Sequence, residues 1–284
     1  MGKRGRFLIA IAAIAVLAVL AWAILLSPAP EPFYKGKPLS YWLQGYTGNP
    51  GTNPPPTYAE ANAAVDEIGT NAIPVLLQML RAQDSPIKTK VIIWARRYRL
   101  IRNYYTVPSI QNIRARQGFE ELGPRAIIAV PDLIKILDDN RSPRSQWAAA
   151  CSLGSIGPGA KAAVPSLLRE AVGTNQPVRM SSIMALGDIH EDPNTVVPFL
   201  IKTLHDPLKG NRSNAAFALG SFGAAATSAV PALVALFNDP NVNSNPTPPV
   251  ASFDVRSNIK YALQQIDPKV YARVVTNGVP APTQ

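Results

Sequence analysis

The strongest constraint on this chain is a repeat with a period of 33 residues, which sets Gly154, Gly187 and Gly220 in register. The three segments read LGSIGPGAKAAVPSLL, LGDIHEDPNTVVPFLI and LGSFGAAATSAVPALV, and Pro165, Pro198 and Pro231 each stand eleven residues after the glycine. A fixed period of this size marks stacked supersecondary units that cannot bury their apolar faces alone.

Aligned on the prolines, the flanking positions fall into columns. Two residues on stand Leu76, Leu133, Leu167, Leu200 and Leu233; three on, Leu77, Ile134, Leu168, Ile201 and Val234; six on, Leu80, Leu137, Ala171, Leu204 and Phe237. Offsets of two, three and six share one helical face, and a proline in the first turn of a helix loses no hydrogen bond. These are second helices. The first helix of each unit ends at Gly69, Gly123, Gly157, His190 or Gly223, positions suited to a left-handed cap. A tight turn is expected between the two helices of each unit. The pattern predicts five helix pairs at about 57–81, 112–138, 144–172, 178–205 and 211–238. A sixth first helix runs from Val255 to Ile266, stopped by Asp267-Pro268, and a cap and frayed end complete the chain. Cys151 shares a column with Met184 and Phe217, which reads as core.

The N-terminus carries a different signal. Lys3, Arg4 and Arg6 precede a charge-free run of 20 residues from Phe7 to Leu26, long enough to span a bilayer as a helix. The run ends in bulky Trp22, Ile24, Leu25 and Leu26, where a signal peptidase requires small side chains. The expectation is an uncleaved signal anchor in the inner membrane with the rest of the chain on the outer, periplasmic side; secretion after cleavage is the alternative. The predicted organisation is a basic end at 1–6, a transmembrane anchor at 7–26 and a Pro-rich stalk with an opening cap helix at 27–56. The repeat domain then covers 57–275 and a flexible tail 276–284. In the cap, Trp42 and Leu43 are the expected buried residues, and Gly45 to Thr57 reads as a loop.

Val178-Arg179 with Ala185-Leu186-Gly187, Arg212 with Ala218-Leu219-Gly220, and Val255-Arg256 carry a pattern V-R-x-x-A…A-L-G-x-I/F-G…A-V-P-x-L. It resembles the short bacterial HEAT-like repeats, a type also found in phycobilin lyases. With the anchor, GKPLSYWL and IGTNAIPVLL, the chain also is similar to membrane-anchored HEAT-repeat proteins of bacteria. The resemblance implies an all-α fold, an α/α superhelix (a HEAT-like solenoid) of about five helix pairs plus caps. It implies binding of other molecules; fold alone does not imply lyase activity.

Charge narrows the partner. The net charge is +10, of which the N-terminal cluster supplies three and the stretch from Asp84 to Arg116 seven. That stretch holds Lys88, Lys90, Arg96, Arg97, Arg99, Arg102, Arg114 and Arg116. It falls where Pro74 and Pro131 stand 57 residues apart, 24 more than the period. Val91, Trp94, Tyr98, Ile101 and Tyr105 recur there at helical spacing. A solvated helix face, a docking site for an acidic protein or polyanion, and contact with anionic lipid headgroups all stay open. The outer location counts against nucleic acid. A second cationic row, Lys135, Arg169 and Lys202, stands four residues after successive prolines, either as solvated side chains or as a groove for acidic segments. The insertion Asn241–Ser252 reads as a surface loop.

Chemistry is sparse. One cysteine and two histidines offer no disulfide, no metal cluster of the usual spacing and no nucleophile elbow. Arg179, Arg212 and Arg256 recur at first-helix starts and are expected to make hydrogen bonds between repeats. The reading is a non-enzymatic protein-binding scaffold with no cofactor. The alternatives are a chromophore lyase-like enzyme and a polyanion or lipid-surface binder acting through Lys88–Arg116.

Overall fold

The computed structural model describes residues 30–48, 54–82, 108–139, 142–243 and 254–277. After a two-residue hairpin, β1 (Phe33–Tyr34) and β2 (Lys37–Pro38), and a short α1 (Leu39–Trp42), the described residues form helix pairs. The first helices are α2 (Tyr58–Ile68), α4 (Pro108–Leu122), α6 (Pro143–Ile156), α8 (Gln176–Ile189), α10 (Lys209–Ser221) and α12 (Val255–Ile266). The second helices are α3 (Ile73–Leu80), α5 (Val130–Asp138), α7 (Val164–Glu170), α9 (Pro193–Thr203), α11 (Val230–Asn238) and α13 (Pro268–Asn277). Each first helix packs on the next first helix, and second helices pack on the first helix of the following pair. The result is a solenoid-like stack with one continuous core.

The columns predicted for that core are occupied. Leu76, Leu133, Leu167, Leu200 and Leu233 are fully buried, as are Leu153, Leu186 and Leu219 on the first helices. Termination also follows the expected chemistry. Gly69, Gly123, Gly157, His190 and Gly223 all have positive φ, between 38° and 72°. The connection beyond them is longer than the expected tight turn. Apart from the His190 unit, each glycine opens a 3-10 segment that runs to the second helix: Gly69–Ala72, Gly123–Ala129, Gly157–Ala163 and Gly223–Ala229. In the His190 unit Asp192 is left-handed as well and α9 begins at once with Pro193. Pro198 therefore lies inside α9, whereas Pro74, Pro131, Pro165 and Pro231 occupy the first turn as expected.

The Ala-Leu-Gly motif has a packing cause. A β-carbon on Gly187 would lie 2.6 Å from the Cα and Cβ of Ala218, one on Gly154 3.2 Å from the Cα of Ala185, and one on Gly220 3.0 Å from the Cα of Ala262. Glycine on one helix and alanine on the next let successive first helices close on each other, while the leucine between them fills the core.

A second column ties the pairs together. Asn112 donates to the carbonyls of Met79 and Leu80, and Gln146 to that of Leu137. Arg256 donates to Phe237 and Asp239, and Arg212 to Asp206, Pro207 and Val242. Arg179 bonds the carboxylate of Asp206. Four of these acceptors, the carbonyls of Met79, Leu80, Leu137 and Phe237, lie in the last turns of second helices, and the others lie in the segments that follow. Arg212 and Arg256 make the expected hydrogen bonds to the preceding pair, Arg179 instead binds the segment that follows its own second helix, and Asn112 and Gln146 extend the column.

The N-terminal cap differs from the expectation in detail. Lys35 and Gly36 both have positive φ, forming the two-residue turn that such a hairpin favours. The Pro32 carbonyl accepts from the Leu39 amide and the Glu31 carboxylate from the Ser40 amide, so these residues belong to the cap and not to a stalk. Leu39, Leu43 and Tyr46 are the buried residues; Trp42 is half-buried, with its indole N–H donating to the Tyr34 carbonyl. Gly45 is helical, not looped, and a β-carbon there would lie 2.3 Å from the Thr57 carbonyl oxygen. At the other end Asp267 stops α12 and its carboxylate caps α13 through the amides of Lys269 and Val270. Among the described residues no helix is long and apolar enough to cross a membrane; the run at 7–26 lies outside them.

Candidate partner-binding surfaces

Two outer faces of the stack carry side chains that packing does not consume. On the second helices, Lys135, Arg169 and Lys202 are exposed as the spacing predicts. Two of the three are partnered. Arg169 binds Asp138 at 2.5 Å, and Lys135 stands 3.8 Å from Asp132, which also receives Arg81 at 2.8 Å. The row is a set of local ion pairs more than a bare cationic track.

The long basic stretch contributes less within the described residues. Lys88, Lys90, Arg96, Arg97, Arg99 and Arg102 lie outside them. Arg114 is buried at 4% exposure, which removes it as a solvent-facing cation. Its Nε donates to the Thr47 hydroxyl, and burial lowers its affinity for the proton below that of a free guanidinium. Arg116 pairs with Glu120 at 2.8 Å along α4 and lies 5.7 Å from the centre of the Trp147 ring.

The first-helix face was not legible as a surface. Cys151, Met184 and Phe217 form the expected column, but it faces outward: Met184 is 43% exposed, and Cys151 and Phe217 are half-buried. The physical reason is the angle between columns. Leucines two residues further along turn into the core, while this column lies along the outer edge where first helices meet. Phe217 accordingly stacks on Tyr261 of the next first helix, ring centres 5.0 Å apart and planes 15° off parallel. Trp147 and Met180, four residues before Cys151 and Met184, are half-buried on the same side. A signal existed in the sequence: Trp147 and Met180 are also one period apart.

At one end of this face, between the starts of α6 and α8, a hollow of about 370 Å³ is lined by Pro143, Arg144, Trp147, Asn175 and Pro177. Arg144 is exposed and engages no carboxylate among the described residues. The side-chain oxygen Oδ1 of Asn175 is committed to capping α8, accepting from the Val178 amide.

Catalytic groups do not converge among the described residues. His190 is a helix cap whose Nδ1 meets the Asp188 carbonyl at 3.0 Å, and His205 stands exposed just past α9. Burial pushes the Cys151 thiol up to about 11, against the opposing pull of Arg116. No cluster of three or more His, Cys, Asp or Glu able to hold a metal occurs among the described residues. The insertion after α11 is anchored where it is described. Val242 is buried, its carbonyl accepts from Arg212, and Asn243 bonds both the Asp254 carboxylate and the Val255 amide.

Comparison with known proteins agrees with this geometry over part of the chain. No curated protein matches it. Residues 164–244, the span from α7 through α11, match the family model of HEAT repeats.

Proposed function

We propose that this chain is a non-enzymatic scaffold that docks a protein partner on its first-helix face, and that residues 7–26 tether it to a bacterial inner membrane with the repeats on the outer side. HEAT repeats commonly mediate protein–protein contacts, which supports the binding role. The observation that carries the choice of face is Met184, 43% exposed among half-buried Trp147, Cys151, Met180, Phe217 and Tyr261. Apolar side chains that recur at the repeat period and stay partly exposed are what a partner can desolvate. The charged-residue-rich second-helix face satisfies several of its charges internally, which favours it less.

The test is chemical crosslinking in membranes of cells expressing the full chain, followed by purification under denaturing conditions. A partner recovered with the wild type should fall at least fivefold with Met180→Glu/Met184→Glu, while thermal unfolding of the purified variant stays close to wild type. Recovery of no protein, or undiminished recovery with the variant, contradicts the proposal.

A further inference from the structure

The Trp147 hollow differs from the rest of the apolar face in its charge. Trp147, Pro143, Pro177 and Asn175 line it, and its one charged lining residue is Arg144. None of its lining residues carries a carboxylate. Arg116 brings a second guanidinium to 5.7 Å from the same ring, and its Nε is buried without a hydrogen-bond partner. Glu120 pairs with that guanidinium at 2.8 Å, which leaves Arg144 as the uncommitted cation of the two. An apolar hollow of this size with an exposed cation in its lining, unpaired among the described residues, fits one side chain and one carboxylate.

We propose that the hollow formed by Pro143, Arg144, Trp147, Asn175 and Pro177 recognises an acidic peptide segment of the partner protein, seating an apolar side chain on Trp147 and a carboxylate on Arg144. This rests on the reading that the first-helix face docks a protein, and it names the chemistry read there. The rigid prolines beside Trp147 hold the slot open before the ligand arrives, which reduces the ordering that binding requires. A single free cation matches one carboxylate; it is a poor match for the evenly spaced charges of a nucleic acid, where several phosphates must be neutralised together.

The experiment selects a displayed library of random dodecapeptides against the full chain in detergent micelles. Enriched peptides are then titrated by fluorescence anisotropy against wild type, Trp147→Ala, Arg144→Gln, Arg144→Glu and Lys202→Glu. The expected peptides carry Asp or Glu next to an aromatic or aliphatic residue. Their affinity should fall at least tenfold with Trp147→Ala and Arg144→Glu, fall less with Arg144→Gln, and stay unchanged with Lys202→Glu. Arg144 is exposed, so its variants test the proposal even if Trp147→Ala unfolds. The proposal is overturned by any of three results: no enrichment, peptides without acidic residues, or binding that survives both Arg144 variants. A twelve-nucleotide oligothymidylate that binds with the same dependence on Trp147 and Arg144, and displaces the peptides, also overturns it. If the hollow fails but crosslinking still recovers a Met184-dependent partner, the scaffold reading stands without this site.

Discussion

Gly187 and Ala218 meet without room for another atom: a β-carbon on Gly187 would lie 2.6 Å from both the Cα and the Cβ of Ala218. The clash is with backbone and a methyl group, neither of which can swing away. Gly187→Ala should therefore push α8 and α10 apart and destabilise the stack by about 1–3 kcal/mol. Thermal unfolding checks this. An unfolding midpoint equal to wild type would show that the helices separate freely there.

Arg212 spans three carbonyls, those of Asp206, Pro207 and Val242, from a position 8% exposed. Arg212→Ala leaves those acceptors unpaired, and a loss of about 3 kcal/mol is expected in urea unfolding. Arg212→Lys should not restore it, because one ammonium lacks the fork that reaches separate acceptors. Arg125, paired with Asp66 at 2.7 Å but 45% exposed, is the contrast: Arg125→Ala should change stability by less than about 1 kcal/mol.

His190 holds φ of 38° where the equivalent units use glycine. Non-glycine residues are strained in that region. His190→Gly should raise stability by about 0.5–1 kcal/mol, while His190→Val should lower it. A destabilised His190→Gly would mean that the imidazole contributes more through its contact with the Asp188 carbonyl than its backbone strain removes.

Asp254 caps α12. Its carboxylate accepts from the Ser257 hydroxyl, the Asn243 amide and the Arg256 amide, which together hold it below the ordinary carboxylate range. A depressed folded-state value means stability present above the unfolded-state value, near pH 4, and lost as pH falls through the folded one. Asp254→Ala should cost about 1 kcal/mol at neutral pH, and the gap to wild type should narrow below pH 4. A gap independent of pH would remove the charged cap from the account.

Cys151 is raised to about 11 by burial although its column faces outward. The thiolate is the reactive form, so alkylation of the native protein at pH 8 should run about a hundredfold slower than that of a free thiol. Urea should restore the ordinary rate. Fast native alkylation would show a far more open site.

The residues show why the fold could be read and the surface could not. Core leucines recur because every unit must bury the same stripe, so Leu76 to Leu233 declare themselves in one dimension. Gly154, Gly187 and Gly220 were visible as a period, while their contact with Ala185, Ala218 and Ala262 needed the stack. The Cys151 column looked like core because apolar identity and period are shared by inward and outward faces; a rotation of less than one turn separates Leu153 from Cys151. Arg114 looked like a surface cation because charge alone does not report burial. The hollow at Trp147 joins residues from the starts of two helices, and no single window of the chain contains it.

Site-resolved photo-crosslinking in native membranes tests the central claim most directly. p-Benzoylphenylalanine is placed in turn at position 184 and at position 217 on the first-helix face, and at position 202 on the second-helix face. The account predicts that one protein is captured from positions 184 and 217 and is absent from 202. Capture from 202 alone, or equal capture from all three, would contradict the assignment of docking to the first-helix face.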